Sequence, residues 1–194
     1  MDPVAGTLTL KRWTRAEYDR LIECGAFGPN DRIELLGGLL VVREPHGSPH
    51  ALGIRMAEEA LRTVFASGSD VRVQLPVALD DESEPEPDVS VVPGTFRDYR
   101  HGHPPRAVLI VEVAESSLAV DRGEKAGLYA RAGLAEYWIV NLVDHVLEVY
   151  RDPVADPHAP YGWRFGSILT LRAGDAVTPL AAPASAVPVA DLVP

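Results

Sequence analysis

An apolar segment that carries a single charge is the feature that most limits how this chain can fold. Residues 107–114, Ala-Val-Leu-Ile-Val-Glu-Val-Ala, are typical of a buried strand, and Glu112 is their only polar residue. A buried carboxylate is costly unless it is paired or binds a metal ion, so Glu112 requires a partner. The sequence offers two candidates: Lys125, 13 residues downstream on a predicted helix, and Asp88, which begins another apolar segment.

The composition indicates a globular protein. The chain of 194 residues is long enough for a sizeable core, and we predict a single domain over residues 1–194. Hydrophobic residues make up 46% and charged residues 24%, and no apolar run approaches the ~20 residues that span a bilayer. The N-terminus lacks a secretory signal pattern, and the one cysteine, Cys24, cannot form an internal disulfide. These features predict a cytoplasmic protein without membrane attachment.

The net charge of −10 argues against a protein whose whole surface attracts nucleic acid. Proteins that gain affinity from phosphates usually present a basic face, and this chain has 28 acids against 18 lysines and arginines. One basic cluster lies in a proline-rich predicted loop at residues 93–106, with Arg97, Arg100 and Arg106 as candidate nucleic-acid-binding residues. Acids gathered around a cation would also raise the negative count, so the charge leaves a metal-dependent enzyme open.

Local signals predict a helix, a hairpin and a second helix in the first part of the chain. Thr14 and Glu17 match a capping box. A glycine pair between two apolar arms predicts a hairpin over residues 32–42. Ser48 followed by proline predicts the N-cap of a helix that runs to about residue 66.

The remainder of the chain predicts several strands and one crossover helix. Asp121 and Glu124 resemble a second capping pair, which would open a helix that ends near Gly133. Residues 80–88 hold six acids and two prolines and predict a flexible loop. We expect strands at 71–79, 89–92, 107–114, 136–141 and 145–150, short strands within 161–172, and then a weakly ordered tail. This order predicts an α/β fold in which helices pack on a mixed sheet.

The acids of two predicted strands could converge on one cation. Alternate strand residues share a face, so Ile110, Glu112 and Ala114 point one way. If the strand that Asp88 begins is a neighbour, the two acids could hold Mg²⁺ together with water. Such an ion acidifies a bound water and neutralises charge on a phosphate. Lys125, on the helix that leaves the Glu112 strand, could orient the attacking water.

Each of these residues also has a simpler structural explanation. Asp121 is expected to be an N-cap, and Lys125 alone could be a solvated helix residue. Asp88 could begin a strand in a polar loop, and Glu34 could face outward from a one-sided hairpin. His50 is expected to be a polar residue at a helix start rather than a ligand. The sequence has no zinc spacing, P-loop, GxSxG motif or Rossmann glycine signature, which leaves oxygen-ligated metal chemistry.

Six sequence blocks in a fixed order carry a family resemblance. They are Ile33-Glu34-Leu-Leu-Gly37-Gly38, Pro49-His50, Glu86-Pro87-Asp88-Val-Ser-Val, Ile110-Val-Glu112-Val, Asp121-Arg-Gly-Glu-Lys125-Ala-Gly-Leu-Tyr129-Ala-Arg-Ala-Gly133 and Glu136-Tyr-Trp-Ile-Val. Together they resemble the Uma-type putative restriction endonuclease family of the PD-(D/E)xK nuclease superfamily, over about residues 13–150. The resemblance implies a restriction-endonuclease-like mixed β-sheet core flanked by helices, with additional β-hairpins, and residues 151–194 then form a β-rich C-terminal extension.

The resemblance also implies roles for individual residues. Asp88 corresponds to the aspartate of the PD motif and Glu112 to the (D/E) position, both as metal ligands, and Glu34 matches an N-terminal acidic position. The superfamily lysine, two residues after the acid, falls on Ala114, so Lys125 resembles the relocated lysine of this family branch. Further candidate site residues within the same blocks are Asp121, His50 and Tyr129.

The leading hypothesis from the sequence is a Mg²⁺-dependent endonuclease that hydrolyses phosphodiester bonds of DNA, with Mn²⁺ as a substitute ion. Asp88 and Glu112 would ligate the metal, Glu34 would assist, and Lys125 would orient the nucleophile. One alternative is a catalytically inactive nuclease-fold module that binds nucleic acid or a partner protein. Another is a metal-dependent hydrolase of a small phosphate ester. The resemblance also implies frequent formation of homodimers.

Overall fold

The N-terminal part of the protein is a helix, a hairpin and a longer helix. The structure, a computed structural model, describes residues 10–29, 31–43, 45, 47–65 and 67–194. The capping box at Thr14 is confirmed, and helix α1 (Arg15–Glu23) follows it. Strands β1 (Ile33–Leu36) and β2 (Leu39–Val42) form the predicted hairpin around two glycines with φ of 54° and 80°, as a tight two-residue turn requires.

The second helix begins one residue earlier than predicted. Helix α2 (Ser48–Val64) includes Ser48 as its first residue, and Gly47 is the N-cap, so the proline takes the second helical position. Residue 66, the predicted end of this helix, lies outside the described residues. Within the described residues, no helix is long and apolar enough to cross a bilayer.

The centre of the fold is a mixed six-stranded sheet. Its strands are β3 (Ser69–Val73), β4 (Val89–Pro93), β5 (Leu109–Ala114), β6 (Glu136–Asn141), β7 (Val146–Ala155) and β8 (Trp163–Leu171). They lie in that order across the sheet, and only the β5–β6 pair is parallel. The first strand is shorter than the predicted 71–79, because Gln74 has a φ of 48° and the chain leaves the sheet there.

The parallel pair is joined by a crossover helix over residues 118–131, and it is not capped as predicted. It consists of α3 (Leu118–Val120), a π-helical turn (Asp121–Lys125) and α4 (Ala126–Arg131). Asp121 therefore lies inside the helix with ordinary helical φ and ψ of −67° and −40°. The spacing of Asp121 and Glu124 suggested a cap because two residues on adjacent helical turns have the same separation.

The two faces of the sheet support separate hydrophobic clusters. Leu109 and Val111 point to the cluster that α2 covers, whereas Ile110 and Ala114 point to the cluster that the crossover helix covers. The predicted alternation along this strand is thus confirmed. Helix α2 lies close to the sheet at Gly53, where a Cβ atom would come within 2.8 Å of the Val113 side chain.

Two segments are better packed than their sequences suggested. The predicted weakly ordered tail instead contains β9 (Ala176–Val177), β10 (Val187–Pro188) and a 3₁₀ turn (Val189–Asp191), and it buries apolar side chains in the α2-side cluster. The acidic loop at residues 80–88 is also held in place, because the Glu84 N–H donates to the Leu35 carbonyl of β1 and Glu84 is only 3% exposed. Backbone pairing, which composition does not reveal, orders both segments.

Candidate active site

A cavity of about 250 Å³ opens where β4 begins and β5 ends. The hairpin and the first turn of α2 contribute one part of its wall, and the residues that follow β5 contribute another. The antiparallel register pairs Val89 with Val111, which puts Asp88 and Glu112 next to each other on neighbouring strands. The charged groups that line the cavity are five carboxylates, two cations and a histidine: Glu34, Asp88, Glu112, Glu115, Asp121, Arg43, Lys125 and His50.

Glu112 is a buried carboxylate with a hydrogen-bond donor at each oxygen. Its Oε1 accepts from Lys125 Nζ at 3.0 Å and from the Tyr129 hydroxyl at 2.7 Å, and its Oε2 accepts from the Asp88 N–H at 3.3 Å. Burial raises the pKa of Glu112 to about 7; the ammonium of Lys125 opposes that shift, and the neighbouring carboxylates reinforce it. Glu112 therefore holds its proton more tightly than an ordinary glutamate does.

Asp88 stays ionised in the same surroundings. Its Oδ1 accepts from Arg43 Nη2 at 3.1 Å, and its Oδ2 accepts from the Val113 N–H at 3.0 Å and lies 3.2 Å from His50 Nε2. Burial alone raises the pKa of Asp88, but its contacts with His50, Val113 and Arg43 outweigh burial and lower the pKa to about 2. Two adjacent carboxylates thus have pKa values far apart, a pattern typical of functional sites.

Lys125 reaches the carboxylates from the crossover helix. Its Nζ lies 3.0 Å from Glu112 Oε1, 3.4 Å from Glu34 Oε1 and 3.9 Å from Asp121 Oδ1. Burial lowers the pKa of Lys125, but these three carboxylates outweigh it and raise the pKa above its ordinary value, so the amine is charged. Lys125 is thus a buried residue of the cavity wall, and the simpler explanation as a solvated helix residue is wrong.

The π-helical turn has direct consequences for this site. Asp121 and Lys125 are its first and last residues, and both are buried, at 1% and 7% exposure. The Ser117 hydroxyl donates to Asp121 Oδ2 at 2.6 Å, so the carboxylate holds the residue before the helix and faces the lysine. Single π turns inside α-helices occur frequently at functional sites. Ala114, where the sequence resemblance places the superfamily lysine, is instead packed in the apolar cluster under the helix.

Glu34 and His50 also line the cavity, and Tyr129 contacts the lining residue Glu112. Glu34 is 2% exposed, and its Oε2 accepts from the Glu86 N–H at 3.0 Å, so the outward-facing alternative for Glu34 is wrong. His50 is the third residue of α2, but it is buried against Asp88 rather than being a polar terminus residue. Tyr129 is fully buried and donates to Glu112.

Comparison with known proteins identifies the family. The chain matches the sequence model of the Uma2 family, described as putative restriction endonuclease, over residues 15–178. The chain belongs to the Uma2 family. The crystal structure of a putative nuclease belonging to DUF820 from Anabaena variabilis is similar to this chain, with a TM-score of 0.67 and 15% sequence identity over 92% of this chain and 96% of that chain. No curated protein gives a match.

These comparisons confirm the resemblance stated from the sequence blocks. The Uma2 match begins near the predicted start and extends past residue 150, through β8 to residue 178. At 15% identity the Anabaena structure establishes the fold, and that fold is the predicted nuclease-like mixed sheet flanked by helices with additional hairpins. The comparisons do not address the individual site residues, whose roles stay predictions.

The three arginines predicted to bind nucleic acid lie away from the cavity of this Uma2 protein. Arg97, Arg100 and Arg106 are exposed in the segment between β4 and β5. That segment joins the strand ends opposite those that carry the two central acids, and none of the three arginines lines the cavity. Arg97 stacks on Phe96, with its guanidinium carbon 5.3 Å from the ring centroid. A role for them in binding DNA stays a prediction.

The main site residue that the sequence interpretation missed is Arg43. It follows β2, and its side chain is only 7% exposed between Asp88 and Glu86, with Nη1 at 3.3 Å from Glu86 Oε2. A signal existed in the predicted hairpin. Glu34 pairs with Val41, so strand alternation places residue 43 on the same side as Glu34.

The donor set of the cavity fits an oxygen-ligated divalent ion held partly by water. Within the described residues, no three acids, histidines or cysteines are grouped so as to hold an ion unaided. Mg²⁺, however, is commonly bound by one or two carboxylates while it keeps several waters, and the cavity volume leaves room for them. When all five lining carboxylates are ionised and the histidine is neutral, the two cations leave three formal negative charges unbalanced. That excess charge favours a cation.

Proposed function

We propose that this Uma2 protein is a Mg²⁺-dependent endonuclease that hydrolyses phosphodiester bonds of DNA, with Mn²⁺ as a substitute ion. The observation that carries the proposal is the 3.0 Å contact between Lys125 Nζ and Glu112 Oε1, beside an ionised Asp88. It assembles two acids and a lysine although the strand has Ala114 at the superfamily lysine position. Membership in a family described as putative restriction endonuclease supports the same activity and is the reason for choosing DNA as substrate.

Asp88 and Glu112 are the residues that would hold the ion. When bound, it would neutralise charge on the phosphate and lower the pKa of a bound water. Asp88 is ready to ligate at any neutral pH, because its pKa is about 2, whereas Glu112 must lose its proton. Glu34 assists by holding Lys125 and by presenting a further carboxylate to water in the cavity.

Lys125 would act on the attacking water or on the phosphate. An ammonium group has three hydrogens, and Glu112 and Glu34 lie within 3.0 and 3.4 Å of the nitrogen. Asp121, at 3.9 Å, is beyond hydrogen-bond distance, so a third hydrogen is available to a water or a phosphate oxygen. A positive charge that is already fixed in place stabilises developing negative charge strongly.

Cleavage of supercoiled plasmid DNA in Mg²⁺ tests the proposal. Asp88→Ala, Glu112→Ala and Lys125→Ala should each abolish cleavage while circular dichroism shows a folded protein. Lys11→Ala is the matched control, because Lys11 is the other lysine of the chain and makes a surface ion pair with Glu17. Its activity should equal that of the unmodified protein. Cleavage that survives all three site substitutions would contradict the proposal.

A nuclease-fold module without catalysis is the second candidate. One observation favours it: every carboxylate oxygen of Asp88 and Glu112 already accepts a hydrogen bond from the protein. Such a module need not take up Mn²⁺, so calorimetric titration with MnCl₂ separates it from the enzyme. A hydrolase of small phosphate esters would bind the ion and cleave bis(p-nitrophenyl) phosphate but leave duplex DNA intact.

A further inference from the structure

Arg43 is a cation that bridges two acids at the cavity. Its Nη2 lies 3.1 Å from Asp88 Oδ1, and its Nη1 lies 3.3 Å from Glu86 Oε2. The two acids differ in exposure: the Asp88 side chain is 3% exposed, whereas the Glu86 side chain is 30% exposed. One arm of the guanidinium therefore reaches a buried carboxylate, and the other reaches a partly exposed one.

The two oxygens of Asp88 differ in how firmly they are held. Oδ2 accepts from the backbone N–H of Val113, which is fixed within β5, and it also lies 3.2 Å from His50 Nε2. The donors to Oδ1 are the side chains of Arg43 and Gln74, and the Gln74 contact is long at 3.4 Å. Side chains can change rotamer, whereas a strand N–H cannot move without breaking the sheet. A ligand of Asp88 therefore gains access most readily at Oδ1.

A guanidinium and a divalent cation on one buried carboxylate oxygen repel each other strongly, because bulk water screens buried charges much less than exposed ones. At Glu112 the corresponding repulsion acts on Lys125. Lys125 can give up its contact with Glu112 to an ion, because it keeps Glu34 and Asp121 as ion-pair partners. Arg43 keeps Glu86, so its side chain can release Asp88 and still be held at the cavity. The arm that it frees has the planar geometry that suits a phosphate group.

We propose that Arg43 is an exchangeable cation. It neutralises Asp88 in the metal-free protein, and its Nη2 group moves to the substrate phosphate when a divalent ion occupies Asp88. The inference rests on the proposed function, because it requires the ion at Asp88. It adds Arg43, as a phosphate-binding residue, to the acids and the lysine of the proposed catalytic site. It also explains why an arginine with only 7% side-chain exposure is placed against the central acid of a cation site.

The side-chain NMR signal of Arg43 tests the exchange directly in the full-length protein. In protein labelled with ¹⁵N-arginine, the Arg43 Nε signal is assigned by its absence in Arg43→Lys. Titration with MgCl₂ should shift this signal, and the shift should saturate together with metal binding measured by calorimetry. Arg122 is the control, because it pairs with Glu148 outside the cavity and its signal should not move.

Substitutions provide a second measurement. Arg43→Gln removes the competing charge, so its Mn²⁺ affinity should rise about tenfold, whereas kcat/KM for bis(p-nitrophenyl) phosphate should fall about a hundredfold. Arg43→Lys keeps the charge without the planar fork, so its Mn²⁺ affinity should stay within about threefold while KM rises about tenfold. Arg122→Gln should leave both quantities within about twofold, because it removes an equal charge outside the cavity.

The outcomes separate the exchange from the proposed function. An Arg43 signal that stays fixed at saturating MgCl₂, in a protein that binds the ion and cleaves the diester, overturns the exchange alone. Arg43→Gln that binds Mn²⁺ no more tightly than the unmodified protein has the same meaning. If the unmodified protein binds no Mn²⁺ and cleaves neither plasmid DNA nor bis(p-nitrophenyl) phosphate, the proposed function is overturned and the exchange with it. Opposite changes in metal affinity and diester turnover support the exchange.

Discussion

Two buried glutamates on one face of the sheet have opposite electrostatic surroundings. Glu112 on β5 pairs with Ile139, and Ile139 pairs with Glu148 on β7, so the two carboxylates lie on the same face with one residue between them. They are 2% and 4% exposed. Each accepts a hydrogen bond from a tyrosine, Tyr129 at 2.7 Å and Tyr150 at 2.8 Å.

The difference between them lies in the balance of charge. Glu148 is paired with the fork of Arg122 and accepts from Asn141 at 2.8 Å, and these bonds outweigh burial and lower its pKa. Glu112 has Lys125, but that ammonium is shared with other acids, and burial raises the pKa of Glu112. Glu148 thus has a cation of its own, whereas Glu112 shares one cation with other acids, and such unbalanced surroundings make an additional cation electrostatically favourable.

The largest effect expected from this comparison is on activity. Glu112→Gln should lower Mg²⁺-dependent cleavage of DNA by about a thousandfold, because an amide is a poor ligand for the ion and carries no charge. Glu148→Gln should leave cleavage within about fivefold, since Glu148 lies outside the cavity. Initial rates on supercoiled plasmid check both variants. Equal losses in the two would show that both glutamates act through folding.

The second effect is on the pH dependence of stability in metal-free protein. The pKa of Glu112 is about 7 in the folded state against an ordinary 4.5, so the folded state binds more protons between these values and loses stability as pH rises. Glu112→Gln should remove a fall on the order of 2 kcal/mol between pH 4.5 and 7. Glu84, whose pKa burial also raises to about 7, contributes to the same fall and is the reason that part of it should persist.

Glu148 should show the opposite sign. Because its pKa is lowered, its contribution to stability is present above 4.5 and is lost as the pH falls below that value. At neutral pH, Glu148→Gln should lower the free energy of unfolding by about 2 kcal/mol, since Arg122 and Asn141 lose a charged acceptor. Urea unfolding at a series of pH values measures both slopes. Parallel pH curves for the two variants would refute the contrast.

A smaller effect is expected on stabilisation by the ion. Mg²⁺ at about ten times its dissociation constant stabilises a protein that binds it by about 1.4 kcal/mol, which raises the melting temperature by about 3 °C. The unmodified protein and Glu148→Gln should both show this shift, and Glu112→Gln should not. Calorimetric scans with MgCl₂ and with EDTA test the pair, and CaCl₂ shows whether the shift is specific. A shift retained in Glu112→Gln would remove this residue from the metal site.

The contrast between Glu112 and Glu148 shows which features of the molecule can be predicted from its sequence. The strand of Glu112, its two faces and the hairpin of Glu34 follow from apolar alternation and a glycine turn, which are local signals. The position of Asp88 beside Glu112 follows once β4 and β5 are paired. Glu148 attracted no functional prediction, although it too is a buried acid within an apolar strand. Apolar residues on both sides of an acid predict that the acid is buried, but they do not predict which residue pairs with its charge.

What the sequence could not supply is the arrangement of long side chains. Lys125 meets Glu112 through a π-helical turn, and no residue pattern marks where a helix widens. Arg43 lies 45 residues from its partner Asp88, so their contact depends on how the hairpin docks on the sheet. Asp121 looked like a cap because its spacing to Glu124 occurs both at helix starts and inside helices. These arrangements depend on tertiary packing, and local propensity does not determine them.

The smallest expected difference is between the two tyrosines that donate to the glutamates. Tyr129→Phe and Tyr150→Phe each remove one buried hydroxyl, so each should lower the free energy of unfolding by about 1 kcal/mol. Only Tyr129→Phe should change catalysis, by about fivefold, because Tyr129 orients the carboxylate proposed to bind the ion. Tyr150 orients a carboxylate whose charge Arg122 already balances. Equal stability losses with unequal activity losses would locate the function at Glu112, and equal losses of activity would indicate that rigidity of the whole face controls turnover.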